Sequence, residues 1–328
     1  MLKKLKKILV AGVQPTGKIH IGNYFGAMKQ FVDLQDKYES YIFIADYHAI
    51  TTVQNRAELM QGIIDVALDY LAIGLDPKKI ILFKQSDISQ VTELAWIFNC
   101  LTTMPYLMRA HAFKDAEVKN KEINVGLFDY PILMASDILI QDADIVSVGQ
   151  DQKQHVEYAR DTAQKFNKIY GKTFKIPEPF ILPHVETVPG TDGRKMSKSY
   201  GNVIPLFATD EEIKKAVMKI PTDSKGVDEP KNPDESIIFA IHKLLLNDKT
   251  LKTLEDKYKK GGMGYKTAKE MLIKDLTAFI KPLREKRKML AKDINTILEI
   301  LKNGGKRASM NAEKKIKEVR EKVGVKIY

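Results

Sequence analysis

Residues 7–27 read KILVAGVQPTGKIHIGNYFGA, and this stretch decides the fold. Its first part, residues 7–13, is a short apolar run with the length and composition of a buried strand. A turn containing Pro15 and Gly17 follows, and an amphipathic pattern begins near residue 23. A strand that leads through a tight turn into a helix opens a βαβ unit. The stretch therefore predicts an α/β domain with its first functional loop directly after the first strand.

Similar strand patterns recur along the first two hundred residues. They cover residues 41–46, 80–86 and 144–149. Amphipathic helical patterns lie between them, and this alternation predicts a parallel sheet with ligands beyond the carboxyl ends of its strands. After about residue 206 only helical patterns follow, with a helix break predicted at KNGGK, residues 302–306. We therefore predict a Rossmann-type α/β domain over residues 1–205 and an all-α domain over residues 206–328.

The charge of the chain is unevenly distributed. Of 328 residues, 53 are Lys or Arg and 42 are Asp or Glu, which gives a net charge of +11. Residues 251–328 hold 22 basic and 10 acidic side chains, whereas residues 1–250 hold 31 and 32. A basic region beside a neutral one indicates a polyanionic partner. On charge alone, a solvated helical surface rich in Lys is an equally good interpretation.

Composition also bears on the compartment. No apolar run approaches the roughly 20 residues that span a bilayer. The basic, then apolar N-terminus resembles a signal peptide only faintly, because its apolar part is short and no small-residue cleavage site follows. A single cysteine, Cys100, excludes an internal disulfide and a cysteine-based zinc site. These features predict a cytoplasmic protein without a membrane span, and we expect Cys100 to be a small core residue.

The loop after the first strand carries the first chemical motif, residues 14–27. Gly22 permits close approach of a ligand, and His20 and Asn23 lie three residues apart, so both could donate hydrogen bonds from one helix face. Alone, this HxGN pattern is weak, since a lone histidine is usually a surface or capping residue. At the first turn of a parallel sheet, beside a helix N-terminus, binding of a nucleotide phosphate becomes the better interpretation.

A second motif is GRKMSKSYGN, residues 193–202. Two lysines, Lys195 and Lys198, and two hydroxyl side chains, Ser197 and Ser199, lie between glycines. Such a composition suits a mobile loop that clamps phosphates. For the lysine spacing by itself, an ordinary exposed basic loop is the favoured interpretation.

A third motif, VGQDQKQH at residues 148–155, leads from a predicted strand into a helix. Gly149 allows close backbone approach, Asp151 can accept from ribose hydroxyls, and Gln152 can both donate and accept. An ordinary capped strand-to-helix turn would look the same. This motif decides little without the other two.

Taken together, the motifs resemble a known family. HIGN at residues 20–23 and KMSKS at residues 195–199 are similar to the two nucleotide motifs of class I aminoacyl-tRNA synthetases. Residues 8–202 resemble the tyrosyl/tryptophanyl branch. Within it, the segments QPTG, HIGNY, ADYHAITT, YPILMASDIL and VGQDQKQH resemble the bacterial tryptophan-specific members, in the same order. The basic helical tail resembles that family's anticodon-binding region.

This resemblance implies an activity and its partners. The chain is expected to activate L-tryptophan with ATP and to transfer it to the 3′ end of tRNA(Trp), with Mg²⁺ bound to the phosphates rather than to dedicated protein ligands. Family members form homodimers, which we expect here too. The implied catalytic residues are His20, Asn23, Lys195 and Lys198. The implied ATP site consists of Gln14, Pro15, Thr16, Gly22, Asn23, Gly149, Gln150, Asp151, Lys195, Met196, Ser197, Lys198 and Ser199.

The segment YPILMASDIL favours tryptophan over tyrosine. An indole offers one N–H donor and no acceptor, so its pocket needs one buried acceptor, and the resemblance assigns that role to Asp137. Tyr130 and Met134 would lie nearby on the same helix. The resemblance further implies pocket roles for Gln14, Gln152, His48, Val146 and Val148. It puts Val10 where members often have Phe, which is a departure in the first strand.

Three other functions stay open on the sequence. A tyrosyl-tRNA synthetase would need a pair of side chains that bind the substrate hydroxyl. The Met134–Leu139 segment argues against this function. Adenylyltransferases that share an HxGH-type motif are usually shorter and lack KMSKS. A non-catalytic RNA-binding paralogue would keep the basic tail, but the intact His20, Asn23, Lys195 and Lys198 favour an enzyme.

Overall fold

The computed structural model describes residues 6–118, 123–148, 153–180 and 188–328. Its described residues form one parallel sheet of five strands in the order β3-β2-β1-β4-β5. The strands are β1 Ile8–Val13, β2 Glu39–Ile44, β3 Ile80–Lys84, β4 Ile145–Ser147 and β5 Glu178–Phe180. This order is that of a Rossmann-type sheet, with its switch point between β1 and β4. The predicted fold class is confirmed.

The central strands form because their side chains can be buried on both faces of the sheet. Leu9, Ile42, Ile44 and Ile80 are almost completely buried, as expected for parallel strands covered by helices on both sides. The four predicted strands are present within one or two residues of the expected ends. The short edge strand β5 was not predicted, because Pro177 and Pro179 interrupt its apolar pattern.

Helices account for most of the remaining described chain. The helices of the first half are α1 Ile21–Asn23, α2 Lys29–Leu34, α3 Asp46–Ile50, α4 Arg56–Ala72, α5 Gln90–Asn99, α6 Met104–Leu107, α7 His111–Val118 and α8 Val125–Leu139. A π-helical turn, Tyr24–Met28, joins α1 to α2. The later helices are α9 Lys153–Tyr170, α10 Asp210–Met218, α11 Ile237–Leu245, α12 Asp248–Lys260, α13 Tyr265–Leu290 and α14 Ile294–Val323.

The chain divides into two compact units. The sheet unit consists of the described parts of Met1–Gly17, Gln30–Ile181 and Asp293–Tyr328. The helical unit consists of Lys18–Lys29 and the described part of Leu182–Lys292. The predicted domains, 1–205 and 206–328, divide the chain by sequence and function rather than by packing, and they stay a prediction.

The last helix departs from the sequence prediction. We predicted a break at residues 302–306, but α14 runs through them without interruption. Its two glycines serve close packing instead. A Cβ on Gly304 would lie 1.8 Å from the backbone oxygen of Leu82, and one on Gly305 would lie 2.7 Å from the Asp87 carboxylate. The absence of side chains here lets α14 pack directly against β3.

Two ion pairs in the C-terminal half of α14 also hold this helix in the sheet unit. The Arg320 guanidinium donates to both carboxylate oxygens of Glu93, at 2.7 and 2.6 Å. Lys315 is buried, and its Nζ lies 3.0 Å from the Asp142 carboxylate while donating to the carbonyl of Thr173 at 2.9 Å. Such bidentate and buried contacts fix the orientation of the helix as well as its position.

Two further expectations concern Cys100 and membranes. Cys100 is exposed at the C-terminal end of α5, so its assignment to the core was wrong. The apolar residues before it lie in α5, which ends one residue earlier, and only some of them are buried: Phe98 is buried, whereas Trp96 is 71% exposed. None of the helices in the described ranges combines the length and apolar character that crossing a bilayer requires.

Candidate amino-acid and nucleotide sites

Three polar side chains and one valine follow the strands at one edge of the sheet. Because the strands are parallel, their carboxyl ends lie along the same edge, and the residues that follow them converge there. Gln14 follows β1, His48 lies just after β2, Gln85 follows β3, and Val148 follows β4. The sequence predicted this convergence for Gln14, His48 and Val148.

Asp137 lies at the centre of a buried hydrogen-bond network in the sheet unit. It projects from α8 and is only 5% exposed. The Nε2 atom of His48 lies 3.0 Å from its Oδ2, and the amide Nε2 of Gln85 lies 3.0 Å from Oδ1 and 2.9 Å from Oδ2. Hydrogen-bond donors on both oxygens stabilise a negatively charged acceptor that is buried away from water.

Opposing effects act on the pKa of Asp137. Burial raises this pKa, and the negative charge of Asp46 adds to the rise, whereas His48 and Gln85 lower it by donating hydrogen bonds. The net direction is upward. The two donors therefore decide how far the carboxyl can stay ionised at neutral pH.

Tyr130 and Met134 share the Asp137 face of α8, at spacings of seven and three residues. The Tyr130 hydroxyl lies 2.5 Å from His155 Nε2, and its ring meets the His48 ring edge-on with centroids 6.3 Å apart. Burial raises the pKa of Tyr130 to about 12, so the hydroxyl stays protonated. The structure thus brings Tyr130, His48 and Asp137 together, and their roles in a tryptophan site stay a prediction.

The predicted valines lie in or beside the sheet. Val146 pairs with Val10 in register across β4 and β1, and both are almost fully buried. Val148 is half-buried and packs against the same core, as does Met134. A valine at position 10 therefore contributes to an apolar layer beneath the carboxyl edge of the sheet.

Sequence reasoning missed Gln85 and His155. Gln85 falls within the third predicted strand and His155 ends the third motif, and the sequence pattern assigns neither of them a role. One signal could have indicated Gln85: it is the first polar side chain after a fully buried strand, at the edge where ligands bind. No comparable signal distinguishes His155, because its contact with Tyr130 depends on how α8 and α9 pack.

In the helical unit, His20 and Asn23 cap each other. The backbone N–H of Asn23 donates to His20 Nδ1 at 3.3 Å, and the backbone N–H of His20 donates to Asn23 Oδ1 at 3.1 Å. In each side chain, the acceptor atom therefore receives a hydrogen bond from a backbone N–H group. The remaining His20 Nε2–H and the Asn23 amide N–H groups are the donors left for a ligand, as a phosphate requires.

The pKa of His20 is lowered to about 4, first by burial and then by the positive charge of Lys198. Nδ1 must stay unprotonated to accept from Asn23, which agrees with a neutral ring. The effect of Lys198 shows that the two predicted motifs influence each other within the helical unit.

We expect His20 to stay neutral from pH 8 to about pH 5, whereas an ordinary histidine titrates near 6.5. Two-dimensional NMR of the histidine ring nitrogens would follow it, with His20→Asn identifying its signals. In Lys198→Met the pKa of His20 should rise towards 6.5, because one of the two causes of its lowering is gone. A wild-type His20 that titrates near 6.5 would contradict this environment. Since protonation of the folded form is disfavoured, stability should fall as pH drops from about 6.5 towards 4.

Two buried side chains, Met196 and Asn202, anchor the KMSKS loop. Met196 is buried, and its Cβ lies 3.2 Å from where a side chain on Gly22 would begin. Asn202 is also buried, and its amide donates to the Asp192 carboxylate at 2.7 Å and to the Lys195 carbonyl at 3.1 Å. Its Oδ1 accepts from the backbone N–H of Ser197 at 2.8 Å. With the backbone fixed in this way, Lys195, Lys198 and Ser199 are exposed to solvent.

The remaining predicted ATP residues lie in a tight turn of the sheet unit or outside the described residues. The Thr16 amide donates to the Gln14 carbonyl at 2.9 Å, and Gly17 has a φ of 61°. Pro15 is buried, and its carbonyl would lie 2.3 Å from a Cβ on Gly62. The predictions for Gly149, Gln150, Asp151 and Gln152 fall outside the described residues.

Comparison with known proteins identifies extensive similarity. The family model of the class I tRNA synthetases (W and Y) matches residues 3–281. A tryptophan–tRNA ligase of Fusobacterium nucleatum is 48% identical over 96% of this chain and 97% of its own length. One from Rhodopirellula baltica is 44% identical, over 97% and 99%. The structure of tryptophanyl-tRNA synthetase from Campylobacter jejuni with ADP and tryptophan aligns with a TM-score of 0.91 at 44% identity, covering 97% of this chain and 99% of that one.

Proposed function

Because this chain belongs to the class I tRNA synthetases (W and Y), we propose that it activates L-tryptophan with ATP and transfers it to tRNA(Trp). The observation that carries tryptophan rather than tyrosine is the similarity of nearly the whole chain to tryptophan–tRNA ligases at 44–48% identity. The buried Asp137 carboxylate supports it, because this residue can accept the single N–H that an indole offers.

In the proposed amino-acid site, Asp137 accepts the indole N–H. Phenylalanine would leave this buried acceptor unpaired, which gives strong rejection without a separate editing step. Met134, His48, Val146 and Val148 form the surrounding wall. Tyr130, Gln14 and Gln152 hold the amino and carboxylate ends of the substrate.

The tryptophan carboxylate then attacks the α-phosphate of ATP, giving tryptophanyl-adenylate and pyrophosphate. His20 Nε2–H and the Asn23 amide donate to phosphate oxygens, while Lys195 and Lys198 stabilise the negative charge that develops on pyrophosphate. Pro15, Thr16, Gly22, Met196, Ser197 and Ser199 shape the ATP site, and Gly149, Gln150 and Asp151 seat adenosine, with Asp151 on the ribose. No side chain forms a covalent bond, so positioning and electrostatics supply the catalysis.

Mg²⁺ accompanies ATP in this proposal, bound by phosphate oxygens and water, which are the ligands it usually keeps at nucleotide sites. Within the described ranges, no three or more His, Cys, Asp or Glu side chains form a group that could hold a metal ion. The lysines of the KMSKS loop and the His20–Asn23 donors fit an anionic nucleotide directly.

The second step transfers the tryptophanyl group to the terminal ribose of tRNA(Trp), and we place the reaction in the cytoplasm. The basic region of residues 251–328 supports binding of this polyanion, since it holds 22 Lys and Arg against 10 Asp and Glu. In this proposal the tail contacts the anticodon region.

The test is ATP–pyrophosphate exchange with tryptophan, tyrosine and phenylalanine, comparing wild type with Asp137→Asn. Exchange should require tryptophan. In Asp137→Asn, kcat/KM for tryptophan should fall by about 100-fold or more, because the amide would face the His48 and Gln85 donors with a donor of its own. Asp144→Asn is the matched control, since Asp144 accepts from Lys175 and from the Ile8 backbone outside the pocket.

The possible outcomes separate the alternatives. Exchange driven by tyrosine would keep the enzyme class and overturn the pocket assignment. No exchange with any of the three amino acids would overturn the synthetase proposal and favour the non-catalytic RNA-binding paralogue.

We also propose that the chain forms a homodimer through the sheet unit. Large apolar side chains are exposed there: Ile50, Trp96, Met104, Met108 and Val125. Ile50 and Trp96 line an open cleft of about 570 Å³, and Trp96 is 71% exposed. A cleft with large exposed apolar side chains favours a protein–protein contact.

Trp96→Asp should shift the protein from dimer to monomer, because a charge in the centre of an apolar interface would be buried without a partner. Light scattering coupled to size exclusion measures the mass directly. Met310→Asp, an equally exposed apolar residue on α14, is the control and should leave the mass unchanged. A wild-type mass of one chain at micromolar concentration would refute the homodimer.

A further inference from the structure

We propose that Gln85 is a positioning residue that gives Asp137 its selectivity for the indole N–H. The inference rests on the proposed function and extends it to a residue that does not need to touch the substrate. Gln85 is 1% exposed and directly follows β3. Its side chain contacts the backbone of one pocket segment and the carboxylate of another.

The orientation of the Gln85 amide follows from its partners. The backbone N–H of His48 donates to Gln85 Oε1 at 3.2 Å, and a backbone N–H can only donate. The other end of the amide is therefore Nε2, which lies 3.0 Å from Asp137 Oδ1 and 2.9 Å from Oδ2. Gln85 is thus a donor to Asp137, and flipping its amide would break the hydrogen bonds at both ends.

The backbone of Gln85 is fixed on both sides. Next to it, Ser86 donates from its backbone N–H to Asp46 Oδ1 at 3.0 Å and from its hydroxyl to Asp46 Oδ2 at 2.5 Å. The Lys84 backbone N–H donates to Asp87 Oδ2 at 3.1 Å, and the Lys84 ammonium lies 2.8 Å from Oδ1. A donor held this firmly can hold the Asp137 carboxylate in one orientation.

This arrangement leaves a defined place for the substrate. His48 contacts only Oδ2, so among the described residues Gln85 is the one side-chain donor to Oδ1, which keeps a lone pair for the indole N–H. Gln85 also favours the ionised carboxyl, which is the stronger acceptor. Without this donor, Asp137 would hold a proton more readily and turn less reliably toward the indole.

The variant Gln85→Met keeps the length of the side chain and removes the amide. The probe for selectivity is β-(benzothiophen-3-yl)alanine, in which sulfur replaces the indole N–H. In ATP–pyrophosphate exchange, kcat/KM for tryptophan should fall by about 10- to 100-fold, while that for the analogue changes by less than about threefold. The loss should lie in KM for tryptophan, with KM for ATP unchanged.

The variant Gln85→Glu keeps the acceptor for the His48 backbone and can donate to Asp137 only when its carboxyl is protonated. KM for tryptophan should therefore rise as pH increases, because the introduced carboxyl loses the proton with which it donates and then repels Asp137. Among the described residues, Asp46 and His48 are the other titratable groups that act on the Asp137 carboxyl, and the wild type and every variant tested contain both. Wild type should not show this rise.

Gln90→Met is the matched control, because Gln90 donates at 2.8 Å to Glu313, away from the pocket, and its loss should leave selectivity unchanged. Equal losses for tryptophan and for the analogue in Gln85→Met, or a flat pH profile in Gln85→Glu, would overturn the role of Gln85. If instead wild type shows no exchange with tryptophan, it is the proposed function that fails. The comparison requires a wild type that strongly prefers tryptophan over the analogue. A wild type that uses both equally would overturn the selectivity assigned to Asp137 and Gln85.

Discussion

Gly304→Ala should destabilise the sheet unit by about 3 kcal/mol or more, at or above the upper end of the usual range for overpacking in a core. The added methyl group would lie 1.8 Å from the Leu82 backbone oxygen and 2.6 Å from the Leu82 carbonyl carbon. Neither atom can move without breaking the pairing of β3 with β2. The strain must therefore be relieved by lifting α14 from the sheet, which would also disturb the ion pairs of Arg320 and Lys315.

Urea unfolding followed by far-ultraviolet circular dichroism measures this loss. Asn303→Ala is the matched control: it introduces the same residue one position earlier, on the exposed face of the same helix. Because alanine has the highest helix propensity, this control should be neutral or stabilising by a few tenths of a kcal/mol. A loss below about 1 kcal/mol in the free energy of unfolding of Gly304→Ala would show that α14 packs against Leu82 less closely than the 1.8 Å approach indicates.

Gly304 also shows where sequence reasoning ends. Two adjacent glycines lower helix propensity, so KNGGK predicted a break. Close packing outweighs propensity here, because only a residue without a side chain can approach the Leu82 carbonyl. Nothing local to residues 302–306 carries this information, since the contact spans more than two hundred residues of sequence. The real interruption lies earlier, between α13 and α14, where Asp293 caps the new helix.

The amino-acid site could be predicted in outline. Parallel strands place their carboxyl ends at one edge, so Gln14, His48 and the residues after β4 could be assigned to one region of the sheet. Asp137 could be assigned only by its resemblance to a family segment, and the structure adds that it lies within hydrogen-bonding distance of His48. The roles of Gln85 and His155 could not be predicted, because they depend on side-chain directions across separate elements.

The phosphate motif shows a similar limit. The spacing of His20 and Asn23 predicted two donors on one helix face. The structure adds that each side chain also caps the backbone of the other, which determines which of their atoms stay available. It also shows why the ring of His20 stays neutral, since burial and Lys198 both disfavour its charge. These effects require the fold of residues 18–29 against residues 188–206, which spacing alone does not contain.

The geometry of the KMSKS loop determines which of its residues can serve catalysis. Met196 and Asn202 are buried and fix the backbone, while Lys195 and Lys198 extend into solvent from that fixed base. The loop thus presents two positive charges that could approach the leaving pyrophosphate. Charge that develops only in the transition state affects kcat more than substrate binding.

Removing these charges should have the largest effect on activity. Lys195→Ala and Lys198→Ala should each lower kcat in ATP–pyrophosphate exchange by about 100- to 1,000-fold, with KM for tryptophan unchanged. The double variant should lose at least about 1,000-fold but less than the product of the single losses, because both lysines act on one leaving group.

Lys214→Ala, an exposed lysine on α10, is the control and should stay within about twofold of wild type, since surface charges away from the reacting groups contribute little. Lys198→Arg should recover part of the activity by keeping the charge with a different geometry. If the double variant stayed within tenfold of wild type, the charge on pyrophosphate would have to be stabilised by other residues, and the role proposed for the loop would be wrong.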